Sequence, residues 1–148
     1  MKDPINMQEI NPKAYKAMYA LEGFLAESSL SKTHKELIKI RASQINGCAF
    51  CLDMHIKDAL KNGESPQRIY TLSAWRETSF FTEEEMAILA FTEEVTLIPS
   101  GVSVATHERA AALFTELQLT EIIMAIVTIN AWNRIAISTH LKPVLDPK

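Results

Sequence analysis

The chain has 148 residues, the size of one ordinary domain, and 15 basic against 18 acidic residues leave a net charge of −3. So weak an acidic balance gives no general attraction for nucleic acid or an anionic membrane. Hydrophobic residues at 47% with 22% charged make a globular composition and exclude a disordered chain.

The first residues, Met1 to Tyr15, hold no apolar stretch of the kind that directs secretion, so the cytoplasm is the expected location. Asn11-Pro12 opens a helix to about Ala26, with Tyr15, Met18, Tyr19, Ala20 and Phe24 available to a core. Ser31 or Thr33 opens a second, ended by the Asn46-Gly47 turn signal. A third runs from about Cys48 to Asn62 and stops at Gly63. Ser65-Pro66 pairs a capping residue with proline at the first helical position and opens a fourth, to about Glu77.

Thr82 followed by Glu85 is a capping box, opening a fifth helix to about Leu97. Pro99-Ser100-Gly101 breaks the chain. A sixth helix covers about Val104 to Leu117, and Thr120 caps a seventh that reaches Ser138. From Glu121 to Ile137 this last helix is apolar nearly all round, so it is expected in a large core or a subunit interface. Its uncharged run, Ile122 to Asn133, is well short of the roughly twenty residues that span a membrane. With 17 alanines, five valines and no sustained alternation, the chain reads as all-α: one domain over residues 1–148, a bundle of about seven helices.

Only two cysteines are present, and they lie three residues apart. At 100° per residue, Cys51 sits at about −60° and His55 at about −20° from Cys48, so both thiols and the imidazole share one helix face. His55 is one turn beyond Cys51. Cys48 follows a glycine at a helix start, where partial positive charge favours a thiolate. This arrangement suits thiol chemistry.

Other readings compete with it. Cysteines are often plain small hydrophobes. A zinc site would use Cys48, Cys51, His55 and one of His34, His107 or His140, but structural zinc brings a second tightly spaced pair, and none exists. Haem attachment needs His where Leu52 stands, and a thioredoxin-type motif needs strands. Glu36 alone reads as an ordinary acid in the first turn of a helix. Asp53 and Lys57 read as a solvated pair, and Glu83-Glu84-Glu85 and Glu93-Glu94 as helix-start charge and solvated face. His34, His107 and His140 read as surface or interface residues. Trp75 and Trp132 read as core or interface anchors, with Arg76 and Arg134 in structural ion pairs.

Glu36, eleven residues, then Cys48-x-x-Cys51-x-x-x-His55 resembles the AhpD-like alkylhydroperoxidase family of the carboxymuconolactone decarboxylase superfamily. The run Ser43 to Cys48 is also typical of it, and Trp75–Thr78 and Asn130–Arg134 look like stretches of an uncharacterised branch. One departure stands between the cysteines. Phe50 occupies a position where other members carry His or Tyr, and a phenyl ring cannot move a proton.

The resemblance implies an enzyme that reduces alkyl or hydrogen peroxides with a dithiol and no metal or cofactor. Cys51 attacks the peroxide and Cys48 resolves the sulfenic acid to a disulfide. His55 takes the thiol proton, and Glu36 orients His55 through water. The opposite order of cysteines stays open, because Cys48 lies nearer the helix start. The resemblance also implies a homo-oligomer, a trimer or hexamer, served by a thiol or dithiol reductant. Two alternatives use the same fold: a redox-responsive binding or stress protein, and a decarboxylase-like enzyme, whose reaction needs no dithiol.

Overall fold

A computed structural model describes residues 4–147. Among them are eight α-helices: α1 (Met7–Ile10), α2 (Pro12–Glu27), α3 (Lys32–Asn46), α4 (Ala49–Lys61), α5 (Pro66–Thr71), α6 (Glu83–Thr96), α7 (Val104–Leu113) and α8 (Glu116–Ser138). Short 3-10 turns cover Leu72–Glu77 and Ile98–Ser100, and no strand is present among the described residues. No helix among them is long and apolar enough to cross a membrane.

The caps expected from sequence form at most helix starts. Asn11, Ser31 and Thr82 each accept a backbone N–H of the first turn, and Thr82 and Glu85 close a reciprocal capping box. Four boundaries differ. The one-turn helix α1 was not expected. The fourth helix splits at Thr71 into an α-helix and a 3-10 segment, with Ala74 off helical geometry. The sixth ends early, at Leu113, because Phe114 is extended. The last helix is capped by Thr115, not Thr120. Thr115 and Gln118 form a second capping box, and Thr120 lies inside the helix, donating back to the Leu117 carbonyl at 2.7 Å.

Helix α3 is the hub, packed by α4, α6 and α8. Its apolar residues divide between two cores because neighbours on a helix diverge by 100°. Ile38 and Ala42 join Ile88, Phe91, Ile122, Ile126 and Ile129, and the same core receives Cys48 and Cys51. Leu37 and Ile40 join Ala59, Leu72, Trp75, Phe81 and Leu89. The cysteines are thus buried where α3, α4 and α8 meet.

One expectation about burial fails. Helix α2 lies at the edge, with Leu25 its one buried residue, leaving Tyr19 52% and Phe24 46% exposed. Helix α8 buries one side only. Ile122, Ile126 and Ile129 face the core, while Ile123, Val127 and Ile137 are exposed at 38%, 44% and 46%. Glu93, read as part of a solvated face, is instead the hub of a polar cluster. Its carboxylate accepts from Trp75 Nε1 at 2.8 Å, Arg41 Nε at 2.8 Å and Arg76. Glu85 is buried, against Arg68 at 2.7 Å. Tertiary contacts override what a charge run alone suggests, because each carboxylate gains several donors in exchange for water.

Candidate active site

The turn from α3 to α4 places both cysteines. Gly47 adopts the left-handed conformation, φ +69°, which residues bearing a Cβ rarely take. Its N–H donates to the Gln44 carbonyl, and the Cys48 N–H reaches back to the Ser43 carbonyl at 3.0 Å, closing a Schellman motif. Cys48 is also the N-cap of α4, its sulfur 3.4 Å from the Cys51 N–H. One residue therefore ends α3 and begins α4.

An amide cluster clamps this turn to α8. Asn46 Nδ2 donates to Asn130 Oδ1 at 3.0 Å and to Asn133 Oδ1 at 2.9 Å. Asn133, fully buried, donates to Ser43 Oγ at 2.9 Å. Arg134 donates to Asn130, which fixes that amide in turn. The sequence stretch Asn130–Arg134 thus serves to position the cysteine turn. Among the described residues Arg134 forms no ion pair, in contrast to Arg76, which pairs with Glu93 and stacks on Trp75.

Cys48 and Cys51 are joined in a disulfide, with Cα atoms 5.4 Å apart. Cys51 and His55 line one wall of a cleft of about 700 Å³ between α4, α2 and α8. Cys48 does not line it. Phe50, Met54, Lys39, Tyr15, Tyr19 and Trp132 complete much of the lining. Trp132, expected as a core or interface anchor, packs against the main core and also walls the cleft, held by its Nε1 donating to Glu22 at 2.8 Å.

Behind that wall, His55 Nδ1 lies 3.2 Å from Glu36 Oε2, and both side chains are largely buried. The N–H of Nδ1 is not aimed at the oxygen, so the pair is in close contact without a well-formed hydrogen bond. Such bonds often tighten only when substrate binds. Burial pushes the Glu36 carboxyl up, but contact with His55 and the charge of Lys39 outweigh it and hold it below the ordinary carboxylate range. Lys39 Nζ sits 3.4 Å from Glu36 Oε1.

Glu36 lies in the second turn of α3, so the first-turn dipole reading does not apply. It also borders a second, polar cleft of about 340 Å³ with Lys32, Thr33, Glu64 and Arg68. The Glu36–His55 pair therefore stands in the wall between two clefts.

Lys39 was missed by sequence reasoning. Its spacing of three residues from Glu36 on one helix was the available signal. The remaining histidines lie elsewhere. His34 contacts Glu84 at 3.9 Å and the edge of Phe114, and His107 and His140 are exposed. No group of three His, Cys, Asp or Glu side chains able to hold a metal ion occurs among the described residues. Asp53 and Lys57 form the expected surface pair at 3.0 Å.

The sequence profile of the carboxymuconolactone decarboxylase family matches residues 12–94, which include Glu36, both cysteines and His55. The chain belongs to this family. It is 45% identical to the uncharacterised protein YdfG of Bacillus subtilis (strain 168), over 93% of this chain and 95% of that one. Its fold matches ATU0492 of Agrobacterium tumefaciens, a protein of unknown function named as a candidate AhpD antioxidant defence protein. That match has a TM-score of 0.93 and 42% identity, and covers 97% of this chain and 100% of the other. An uncharacterised peroxidase-related protein of Silicibacter sp. TM1040 matches with a TM-score of 0.80 and 25% identity, over 90% of this chain and 72% of the other. The family's AhpD-like helical fold is thus shared along almost the whole chain.

Proposed function

We propose that the protein is a thiol-dependent peroxidase cycling between a Cys48/Cys51 dithiol and the disulfide. The observation that carries this is the placement of Cys51 and His55 on one cleft wall, with Glu36 packed against the far side of the imidazole. Because Cys51 lines the cleft and Cys48 does not, Cys51 is assigned the attack and Cys48 the resolution.

In this reading the Cys51 thiolate attacks the terminal peroxide oxygen. The S–O bond forms as the O–O bond breaks, sulfur loses two electrons, and the alkoxide leaves as an alcohol after protonation. The Cys48 sulfur then displaces water from the sulfenic acid and closes the disulfide. A thiol or dithiol reductant restores both thiols. With Nδ1 turned to Glu36, Nε2 is the nitrogen left to take the Cys51 proton and return it to the leaving oxygen. The ionised Glu36 carboxylate favours the imidazolium that this transfer creates.

The family's name refers to decarboxylation. That chemistry has no use for a dithiol at the cleft, so the disulfide supports the peroxidase reading. We place the single-domain protein in the cytoplasm as a homo-oligomer, a trimer or hexamer.

Intact-mass spectrometry tests the core claim. Pre-reduced protein should lose about two mass units per chain on one equivalent of hydroperoxide, as a dithiol becomes a disulfide, and should consume peroxide continuously when a dithiol is supplied. Disulfide formation without turnover would instead indicate a redox switch.

A further inference from the structure

Hydrogen peroxide occupies a small fraction of a cleft of about 700 Å³, a volume suited to a drug-sized organic molecule. Tyr15, Tyr19, Phe50 and Trp132 stand together in its lining. Tyr15 meets Trp132 edge to face at 5.2 Å and Tyr19 at 5.5 Å, and Tyr19 lies 6.1 Å from Trp132. The two tyrosines are not spent on a core, since α2 buries only Leu25 and leaves Tyr19 half exposed. Edge-to-face clusters of this kind accept a further ring. Met54 offers the polarizable sulfur that aromatic groups also favour. Phe50, which cannot serve proton transfer, becomes an apolar wall beside the reacting sulfur.

Charge narrows the class. Lys39 is held against Glu36, and Glu22 is held by Trp132, while Glu22 and Asp58 oppose a carboxylate on the ligand. The lining therefore favours an uncharged molecule.

We infer that the cleft takes a neutral hydroperoxide bearing an aromatic ring, seated against Tyr15, Tyr19 and Trp132 with its O–O group at Cys51. This rests on the peroxidase reading. The Cys51 thiolate reduces the hydroperoxide to the corresponding aromatic alcohol, and the disulfide returns to the dithiol at the expense of a dithiol reductant.

Cumene hydroperoxide and tert-butyl hydroperoxide form a matched pair, since both are neutral and tertiary and differ by phenyl against methyl. In single-turnover oxidation of the pre-reduced protein, cumene hydroperoxide should react at least about tenfold faster, the discrimination one buried apolar group of this size gives. Tyr15→Ala and Tyr19→Ala should each lower that ratio at least about threefold. Equal rates for the two peroxides in the native protein would overturn the inference and leave the peroxidase reading standing. Tyrosine variants that lower the oligomer mass while keeping the ratio would also overturn it, assigning the rings to a subunit contact.

If neither peroxide oxidises Cys51, the peroxidase reading fails. The cleft is then tested by cumyl alcohol, the reaction product, through tryptophan fluorescence. Saturable quenching that weakens in Tyr15→Ala supports an aromatic-binding cleft, and no saturable change overturns it.

Discussion

Glu36 on α3 and His55 on α4 meet at 3.2 Å in the wall between two clefts, one aromatic and one polar. The imidazole thereby has a carboxylate behind it and a cysteine one helical turn away.

This arrangement sets an expectation about rate. Lowering a thiol's pKa raises the thiolate fraction but weakens the nucleophile, with a Brønsted slope of about 0.4–0.5, so the two effects nearly cancel near neutral pH. Protonation of the leaving oxygen then has to supply much of the acceleration, typically about 10²–10⁴ for a general acid. His55→Gln should lose more than about tenfold even at a pH where the thiol is fully ionised, and Glu36→Gln a similar factor. Stopped-flow rates of Cys51 oxidation against pH check this. Full recovery of His55→Gln at high pH would show that the imidazole serves only to ionise the thiol.

The cysteines should separate cleanly. Cys51→Ser should abolish peroxide consumption. Cys48→Ser should reduce about one equivalent per chain and stop at a sulfenic acid, with no disulfide formed. Trapping with dimedone followed by mass spectrometry reads the difference. A sulfenic acid trapped at residue 48 in a Cys51→Ser background, after about one equivalent of peroxide per chain, would reverse the assignment.

Acid should destabilise the protein through three carboxylates. Burial raises Glu36, Glu85 and Glu93, but their partners outweigh it: His55 and Lys39 for the first, Arg68 for the second, and Trp75, Arg76 and Arg41 for the third. All three are held below the ordinary value of 4.5. The unfolded chain binds protons first as pH falls, so their contribution is complete above about 4.5 and is lost through the depressed native values. Urea midpoints from pH 7 to pH 3 should fall accordingly. Glu93→Gln should cost about 2–3 kcal/mol at pH 7, below the 3–5 of a fully buried pair because the cluster is partly solvated, and should flatten the acid limb.

The exposed apolar side of α8 bears on assembly. Ile123 and Val127 lie one turn apart and stay uncovered in the single chain. Light scattering at micromolar concentration should return a multiple of the 16.6 kDa chain mass, and Val127→Glu should lower it. A native mass near that of one chain would reject the oligomer.

The helical class and most caps were legible in the sequence, because capping is local: Ser31, Thr82 and the Gly47 turn each act within four residues. Where two local signals competed, the sequence was ambiguous. Thr115 with Gln118 and the isolated Thr120 both resemble a helix start, and the reciprocal bonds of the capping box decide for Thr115. The spacing of Cys48, Cys51 and His55 was equally readable, since all three lie on one helix start or within its first two turns.

What sequence by itself determined was therefore the all-α class and the short-range geometry of the dithiol with its imidazole. Only tertiary structure decided the rest. Glu36 meets His55 because α3 and α4 pack together, a contact between helices that periodicity within either one cannot reveal. Glu93 is a hub, and Tyr15, Tyr19 and Trp132 form a cleft wall, for the same reason: the donors of Glu93 come from two different segments, α3 and the 3-10 turn Leu72–Glu77, and the rings come from α2 and α8, more than a hundred residues apart. Local propensity and spacing fix the direction of a side chain on its own helix, and the packing of one helix against another fixes what that side chain meets.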